Sequence, residues 1–290
     1  MKMMKVEKPL KIKVISPSSP IKKDLILKSK HFIEEIGFKV ELSKNIFERE
    51  RYLAGTDEER FEDLKEALID ENIDIVWLSR GGFGSIRLLE KLDKVKFEGK
   101  KILIGYSDAT SLFCYFYKFN NLRILYGPSF SELWNRESYK MDSLLNAIFS
   151  KPYSIKCKNE SKISEEITIF GGCLSILNSL LGTPFFPELN GEFLFIEDVN
   201  EPNYKIERML WQLKLAGVFD KVKGVMLGSF LNNSFSYKGV LTSLKEILGD
   251  EKTILSNLKC GHCNFKETIP MKERLSLDGN KLNFCYNSTS

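Results

Sequence analysis

The sequence predicts an α/β protein, with a parallel sheet covered on both faces in the first half and a smaller α/β domain with a mixed sheet after it. Three observations carry this. Apolar strand-like runs alternate with amphipathic helical segments through the first half, the rhythm of parallel sheets built from crossover units. That rhythm breaks at Ser150–Glu166, "SKPYSIKCKNESKISEE", a polar stretch with little periodicity. Beyond it the elements are less regular and finish in a tail of short strands. The expected organisation is a domain over 1–149, a linker over 150–166 and a second domain over 167–290.

Each element has its own signal. "LKIKVISPSSP" reads as a strand running into a Pro- and Ser-rich turn. "IKKDLILKSKHFIEEIGF" has apolar residues at helical spacing and stops at Gly37. "KVELSKNIF" is a short strand or sheet edge, and "TDEERFEDLKEALID" a helix with Thr56 as N-cap and an acidic first turn. "IDIVWLS" and "KILIGYS" are buried strands, followed by the helices "SIRLLEKL" and "DATSLFCYFYKFN". Ligands on such sheets gather at the carboxyl ends of the strands, where Ser16–Ser19, Arg80–Gly84 and Ser107 fall. The second half offers "GGCLSILNSLLGTPF", the strand "EFLFIEDV", the helix "NYKIERMLWQLKLAGVF" and "VKGVMLGSF".

Composition narrows the function classes. The 290 residues are 43% hydrophobic, enough to fill one large core or two ordinary ones. Charged residues make up 28% with mixed signs, and the net charge is only +4, so no nucleic acid partner is expected. The N-terminus is basic but carries no signal-peptide apolar run, and no window reaches the roughly 18 apolar residues of a membrane span. A cytoplasmic location with no membrane partner follows as the expectation. The six cysteines fit reduced thiols in such a compartment.

Chemistry narrows to a few residues. Of the two histidines, His31 sits among charges on an amphipathic helix and reads as surface. His262, after Gly261 in an irregular loop, is the candidate general base. Cys260 and Cys263 flank it, but no second Cys-x-x-Cys exists for a structural zinc site, so free thiols and no metal are expected. Ser107 has two readings: an N-cap of the helix behind it, or a nucleophile on a sharp strand-to-helix turn. Gly105 and Ala109 supply the small neighbours such a turn needs. The run Gly82-Phe83-Gly84-Ser85-Ile86-Arg87 has Arg where a dinucleotide fingerprint has its third glycine. Gly81 and Gly82 instead offer unhindered amides that would complete an oxyanion hole. Glu197 and Asp198 end an apolar strand, so alternation expects one to face inward and the other away.

Taken in order, "SPSSP", "SRGGFGSIRLL", "IGYSDATSL", "GGCLSILNSLLGTP", "FLFIEDVNEPNYKIERMLWQL" and "GHCNFKETIP" make the chain resemble the LD-carboxypeptidases. These serine peptidases include muramoyltetrapeptide carboxypeptidase and the microcin-immunity peptidases. The resemblance implies an N-terminal flavodoxin-like (amidotransferase-like) domain and a smaller C-terminal domain that supplies Glu and His. It places the nucleophile on Ser107, the glutamate on Glu197 and the histidine on His262, and implies a homodimer. Cys173 departs from the polar residue, often Asn, expected in that motif, and "IPMKERLSLD" lacks a glycine that often follows the Pro-x pair.

The implied reaction is acyl transfer to water, releasing terminal D-alanine from a muropeptide tetrapeptide in cell-wall recycling, with no cofactor. The amides of Asp108 and Gly82 would hold the oxyanion. Arg80 would meet the substrate carboxylate, or else simply bond loop carbonyls. Two alternatives stand beside it: a microcin-like peptidyl-nucleotide hydrolase with the same triad, and a non-catalytic ligand-binding module using the glycine-rich turn.

Overall fold

The computed structural model describes residues 9–96, 99–119, 121–161, 163–231, 237–249 and 251–285. The basic N-terminus, residues 1–8, lies outside the described residues. The chain forms two compact units, Met1–Tyr139 and Lys140–Ser290.

In the first unit β1 (Lys11–Ile15), α1 (Lys23–Glu35), β2 (Lys39–Leu42), α2 (Asp57–Ile69) and β3 (Ile75–Leu78) follow the expected alternation. A 3-10 turn at Ser85–Leu88 leads to α3 (Leu89–Leu92), β4 (Lys101–Gly105), α4 (Ala109–Phe116) and β5 (Leu122–Tyr126). All these strands pair in parallel, in the order β5-β4-β3-β1-β2. This is the flavodoxin-like order, whose switch point lies between β1 and β3. Every residue of β3 and β4 is buried, which is why Ile75–Leu78 and Ile102–Gly105 read as unbroken apolar runs.

The helix boundaries follow local chemistry. Thr56 and Glu59 form a reciprocal capping box at the start of α2. α1 closes in a Schellman motif: Gly37, at φ 109°, donates to the Glu34 carbonyl and Phe38 to that of Ile33.

The second unit begins with α5 (Met141–Ile148), β6 (Tyr153–Lys156), β7 (Lys158–Asn159), β8 (Glu165–Cys173) and α6 (Leu174–Leu180). It continues with β9 (Phe193–Val199), α7 (Asn203–Leu215), α8 (Val218–Lys221), β10 (Gly224–Leu231), α9 (Tyr237–Leu248) and β11 (Thr253–Ser256). β12 (Ile269–Met271), β13 (Arg274–Asp278) and β14 (Lys281–Phe284) end it. Eight strands make one mixed sheet, β6-β14-β13-β8-β9-β10-β11-β7. Its centre, β8 to β11, is parallel and its flanks are antiparallel.

Two boundaries and one relative size differ from the sequence expectation. The units divide before residue 149, because α5 belongs with later elements: Lys140 N–H donates to the Lys266 carbonyl and Thr268 N–H to Ser143 Oγ. The stretch 150–166 is no linker, since it supplies β6, β7 and the start of β8. The second unit is also not the smaller one, because those strands and α5 are part of it.

Candidate active site

The first group of site residues lies at the carboxyl ends of β1, β3 and β4. Ser107, two residues past β4, sits at φ 63°, the left-handed region that costs a non-glycine residue roughly 1–3 kcal/mol. Its amide donates to Tyr126 Oη at 3.2 Å, and its carbonyl accepts from Thr110. The N-cap position of α4 falls instead on Asp108, with helical dihedrals and no side-chain cap bond. Ser107 therefore does not cap the helix; it forms the strained elbow before it.

Glycines let other segments reach this elbow. A Cβ on Gly81 would stand 2.8 Å from Ser107 Cβ and 2.9 Å from its Oγ, so only glycine lets that strand end lie so close. Gly82 has φ 110°, and a Cβ there would meet Ser19 Oγ at 2.2 Å. At Gly105 a Cβ would crowd Ala109 and Leu78 at 3.1 and 3.2 Å. The small residues expected around the elbow thus have identified neighbours.

Asp108, 1% exposed, holds its carboxylate against Ser18 Oγ (2.6 Å) and Ser85 N–H (2.9 Å). Burial pushes its pKa up, against the bonds from Ser18 and Ser85. Arg80 is exposed, and its Nη1 donates to the Pro20 carbonyl at 3.1 Å, the loop contact weighed as its structural alternative.

The second group lies on the sheet of the second unit. Glu197 is in β9, paired with Cys173 of β8, and is fully buried. Its Oε2 accepts from the His262 amide at 3.0 Å and contacts His262 Nδ1 at 2.8 Å. Gly261, at φ 86°, makes this possible: a Cβ there would stand 2.3 Å from the same Oε2. Ser229 N–H and Oγ both bond the Cys260 carbonyl at 3.0 Å, anchoring the loop from β10.

Electrostatics in this group favour a charged imidazole. Burial, the largest single influence on His262, opposes its protonation. The bond to Glu197 and the charges of Glu197 and Asp198 outweigh it, and the pKa lies above the ordinary value. The His262 side chain is about one fifth exposed (19%).

Asp198 overturns the alternation argument, for it is as hidden as Glu197 at 2% exposure. β9 is a central strand, so neither of its faces is open. The Asp198 carboxylate accepts from the amides of Ser175 (2.8 Å) and Val199 (2.7 Å), and burial raises its pKa to about 6. Burial also pushes up the thiols of Cys260 and Cys263, so both stay neutral near pH 7. His31 is exposed and pairs with Glu35 at 3.1 Å on α1.

Sequence reasoning named Ser107, Glu197 and His262 but missed several supports. Tyr126 could have been found from the register that sets Gly105 beside it. Ser18 lay in the Ser16–Ser19 turn and Ser85 in the glycine-rich run, but their bonds to the Asp108 carboxylate left no sequence signal, because the three meet only through separate strand ends.

Comparison with known proteins places the chain in a family. The LD-carboxypeptidase N-terminal domain description matches residues 12–127, and the C-terminal domain description matches residues 167–277. A murein tetrapeptide carboxypeptidase of Pseudomonas aeruginosa is 30% identical over 292 residues, covering 94% of this chain and 94% of that protein. The microcin C7 self-immunity protein MccF of Escherichia coli is 28% identical over 302 residues, covering 91% and 88%. A solved muramoyltetrapeptide carboxypeptidase from Oxalobacter formigenes has a TM-score of 0.81 at 26% identity, covering 94% of this chain and 97% of that one. Wild-type apo MccF shares the fold at a TM-score of 0.85 and 23% identity, covering 100% of both chains. Fold and relatives together define a two-domain α/β peptidase. The chain belongs to the LD-carboxypeptidase family.

Proposed function

We propose that this peptidase is a serine carboxypeptidase that hydrolyses the L,D bond releasing terminal D-alanine from muropeptide tetrapeptides in cell-wall recycling. The observation that supports it most is the double contact of Glu197 Oε2 with the amide and Nδ1 of His262. A neutral imidazole whose Nδ1–H donates a hydrogen bond to a buried carboxylate has an unprotonated Nε2 as base, and its imidazolium is stabilised once formed.

In this mechanism Ser107 Oγ attacks the scissile carbonyl carbon and passes its proton to His262 Nε2. The amides of Asp108 and Gly82 hold the oxyanion, and losing one such donor typically costs about 10²–10³ in turnover. The intermediate collapses, and His262 protonates the departing D-alanine amine. Water then attacks the acyl-enzyme, giving its proton to His262, and Ser107 leaves as the alcohol. Arg80 meets the substrate carboxylate with the donors not used on Pro20. The enzyme works in the cytoplasm without metal or cofactor, and as a homodimer, the assembly that the family resemblance implied. Among the described residues no helix is long and apolar enough to cross a membrane.

Mass spectrometry of a purified muramyl tetrapeptide incubated with the protein tests this. D-alanine release by the wild type and none by Ser107→Ala is the expected result. A folded wild-type protein that releases no D-alanine would sink the muropeptide assignment. The 28% identity to MccF supports a second substrate class, a peptidyl-nucleotide cleaved by the same three residues. Parallel turnover of a peptidyl-adenylate analogue separates the two.

A further inference from the structure

Asp108 carries a carboxylate that the mechanism above does not use. Its Oδ2 accepts from Ser18 Oγ at 2.6 Å and from Ser85 N–H at 2.9 Å, and Ser85 Oγ donates to the Asp108 carbonyl at 2.6 Å. Oδ1 is buried and has no hydrogen-bond partner among the described residues. A buried carboxylate with one oxygen unpaired destabilises the folded state relative to an apolar side chain of similar shape. Stability alone does not explain it.

Geometry does. Ser18 follows β1, Ser85 follows the glycine-rich turn after β3, and Asp108 follows the elbow after β4. The turn itself has little stiffness of its own, since Gly82 and Gly84 lie at φ 110° and 142° and glycine visits many such conformations. Its shape must come from what grips it. Phe83 N–H donates to Ser19 Oγ at 3.2 Å. Arg60 of α2, 1% exposed and paired with Asp57, donates Nη1 to both the Gly84 carbonyl (2.9 Å) and the Pro17 carbonyl. These bonds lace the loop after β1 to the turn after β3. The Asp108 carboxylate, beside the Ser85 Oγ bond to the Asp108 carbonyl, ties that laced pair to the residue following Ser107, and among the described residues it alone holds Ser18 there.

We propose that the Asp108 side chain is a positioning residue that fixes the Gly82 amide relative to the Asp108 amide, with Arg60 bracing the far side of the turn. This rests on the reading that those two amides hold the oxyanion. A misplacement of about 1 Å in such a group costs about 10²-fold in rate, and it acts on the transition state rather than on substrate binding.

The test compares Asp108→Ala, Asp108→Asn and Ser18→Ala with wild type, using D-alanine release from muramyl tetrapeptide and the rate of Ser107 labelling by a small fluorophosphonate. Asp108→Ala should lose about 10²–10³ in kcat with KM within about threefold, and labelling should slow in parallel. Asp108→Asn keeps a side-chain oxygen for Ser18 and Ser85, so kcat should return to within about tenfold of wild type. Ser18→Ala, the milder change, should lower kcat about tenfold with KM unchanged, and it serves if Asp108→Ala does not fold. A folded Asp108→Ala or Ser18→Ala protein with near wild-type kcat and labelling would overturn the inference, as would equal losses in Asp108→Ala and Asp108→Asn. Ser107→Ala separates the two levels. If it still releases D-alanine, the serine mechanism itself fails; if it is silent while Asp108→Ala stays fast, only the positioning role does.

Discussion

Replacing Gly261 by alanine inserts one carbon between the histidine loop and Glu197. The new Cβ would stand 2.3 Å from Glu197 Oε2 and 2.4 Å from Cδ, whereas ordinary contact begins near 3.4 Å. The loop must therefore move by about 1 Å, and a displacement of that size in a catalytic group costs about 10²-fold. Glu197 cannot absorb it, being fully buried in a central strand. The residue also sits at φ 86°, adding roughly 1–2 kcal/mol of strain for any residue with a Cβ. Gly249→Ala isolates the strain, because Gly249 has φ 61° and nothing within 4 Å of an added Cβ. Steady-state D-alanine release and thermal unfolding are measured for both variants. Gly261→Ala should lose at least about 10²-fold in kcat/KM as well as stability, and Gly249→Ala should lose stability alone. A folded Gly261→Ala enzyme within threefold of wild-type kcat/KM would refute the link between Glu197 and the histidine loop.

Further predictions follow from the same geometry. Because the pKa of His262 is raised, the acid limb of kcat/KM should lie above the ordinary histidine value of about 6.5, activity falling as pH drops through it. Glu197→Gln removes the partner that raises it, so the limb should move to lower pH while kcat falls by about 10⁴-fold; an unmoved limb in the pH–rate profile would rule out the pairing. The stability sign is the reverse of the activity sign: the raised His262 pKa contributes stability present below about 6.5 and lost as pH rises through the folded value, which urea titrations at several pH values would show. Gly81→Ala should slow fluorophosphonate labelling of Ser107 at least about tenfold and also lower thermal stability, since its Cβ would press on Ser107 Cβ at 2.8 Å and Oγ at 2.9 Å. Thr56→Ala removes the capping box of α2 and should cost about 1 kcal/mol in denaturant unfolding without touching kcat.

Much of the fold was legible because its signals are local. The parallel first sheet announced itself in apolar runs whose strands are buried, and α2 in Thr56 as N-cap followed by an acidic first turn. The stretch 150–166 was misread for a physical reason. β6 and β7 are edge strands at opposite ends of the sheet, and β6 is paired with β14 far along the chain, so their polar, exposed residues carry no strand signal by themselves. Asp198 was misread because alternation distinguishes faces only where one face meets water, and a central strand such as β9 offers no such face.

By itself, then, the amino-acid sequence determined the alternation, the flavodoxin-like first sheet and the identity of the candidate serine, glutamate and histidine. The alternation rests on short-range periodicity, whereas the flavodoxin-like order and the choice of Ser107, Glu197 and His262 rest on motifs whose order along the chain resembles the LD-carboxypeptidases. Tertiary structure decided how the residues are held. It put Ser107 in a left-handed elbow rather than a cap, set Gly81 against its hydroxyl, and brought Gly261 onto Glu197. It also tied Asp108 to Ser18 and Ser85. Those contacts join residues tens of positions apart, and only the packing of separate strand ends brings them within bonding distance.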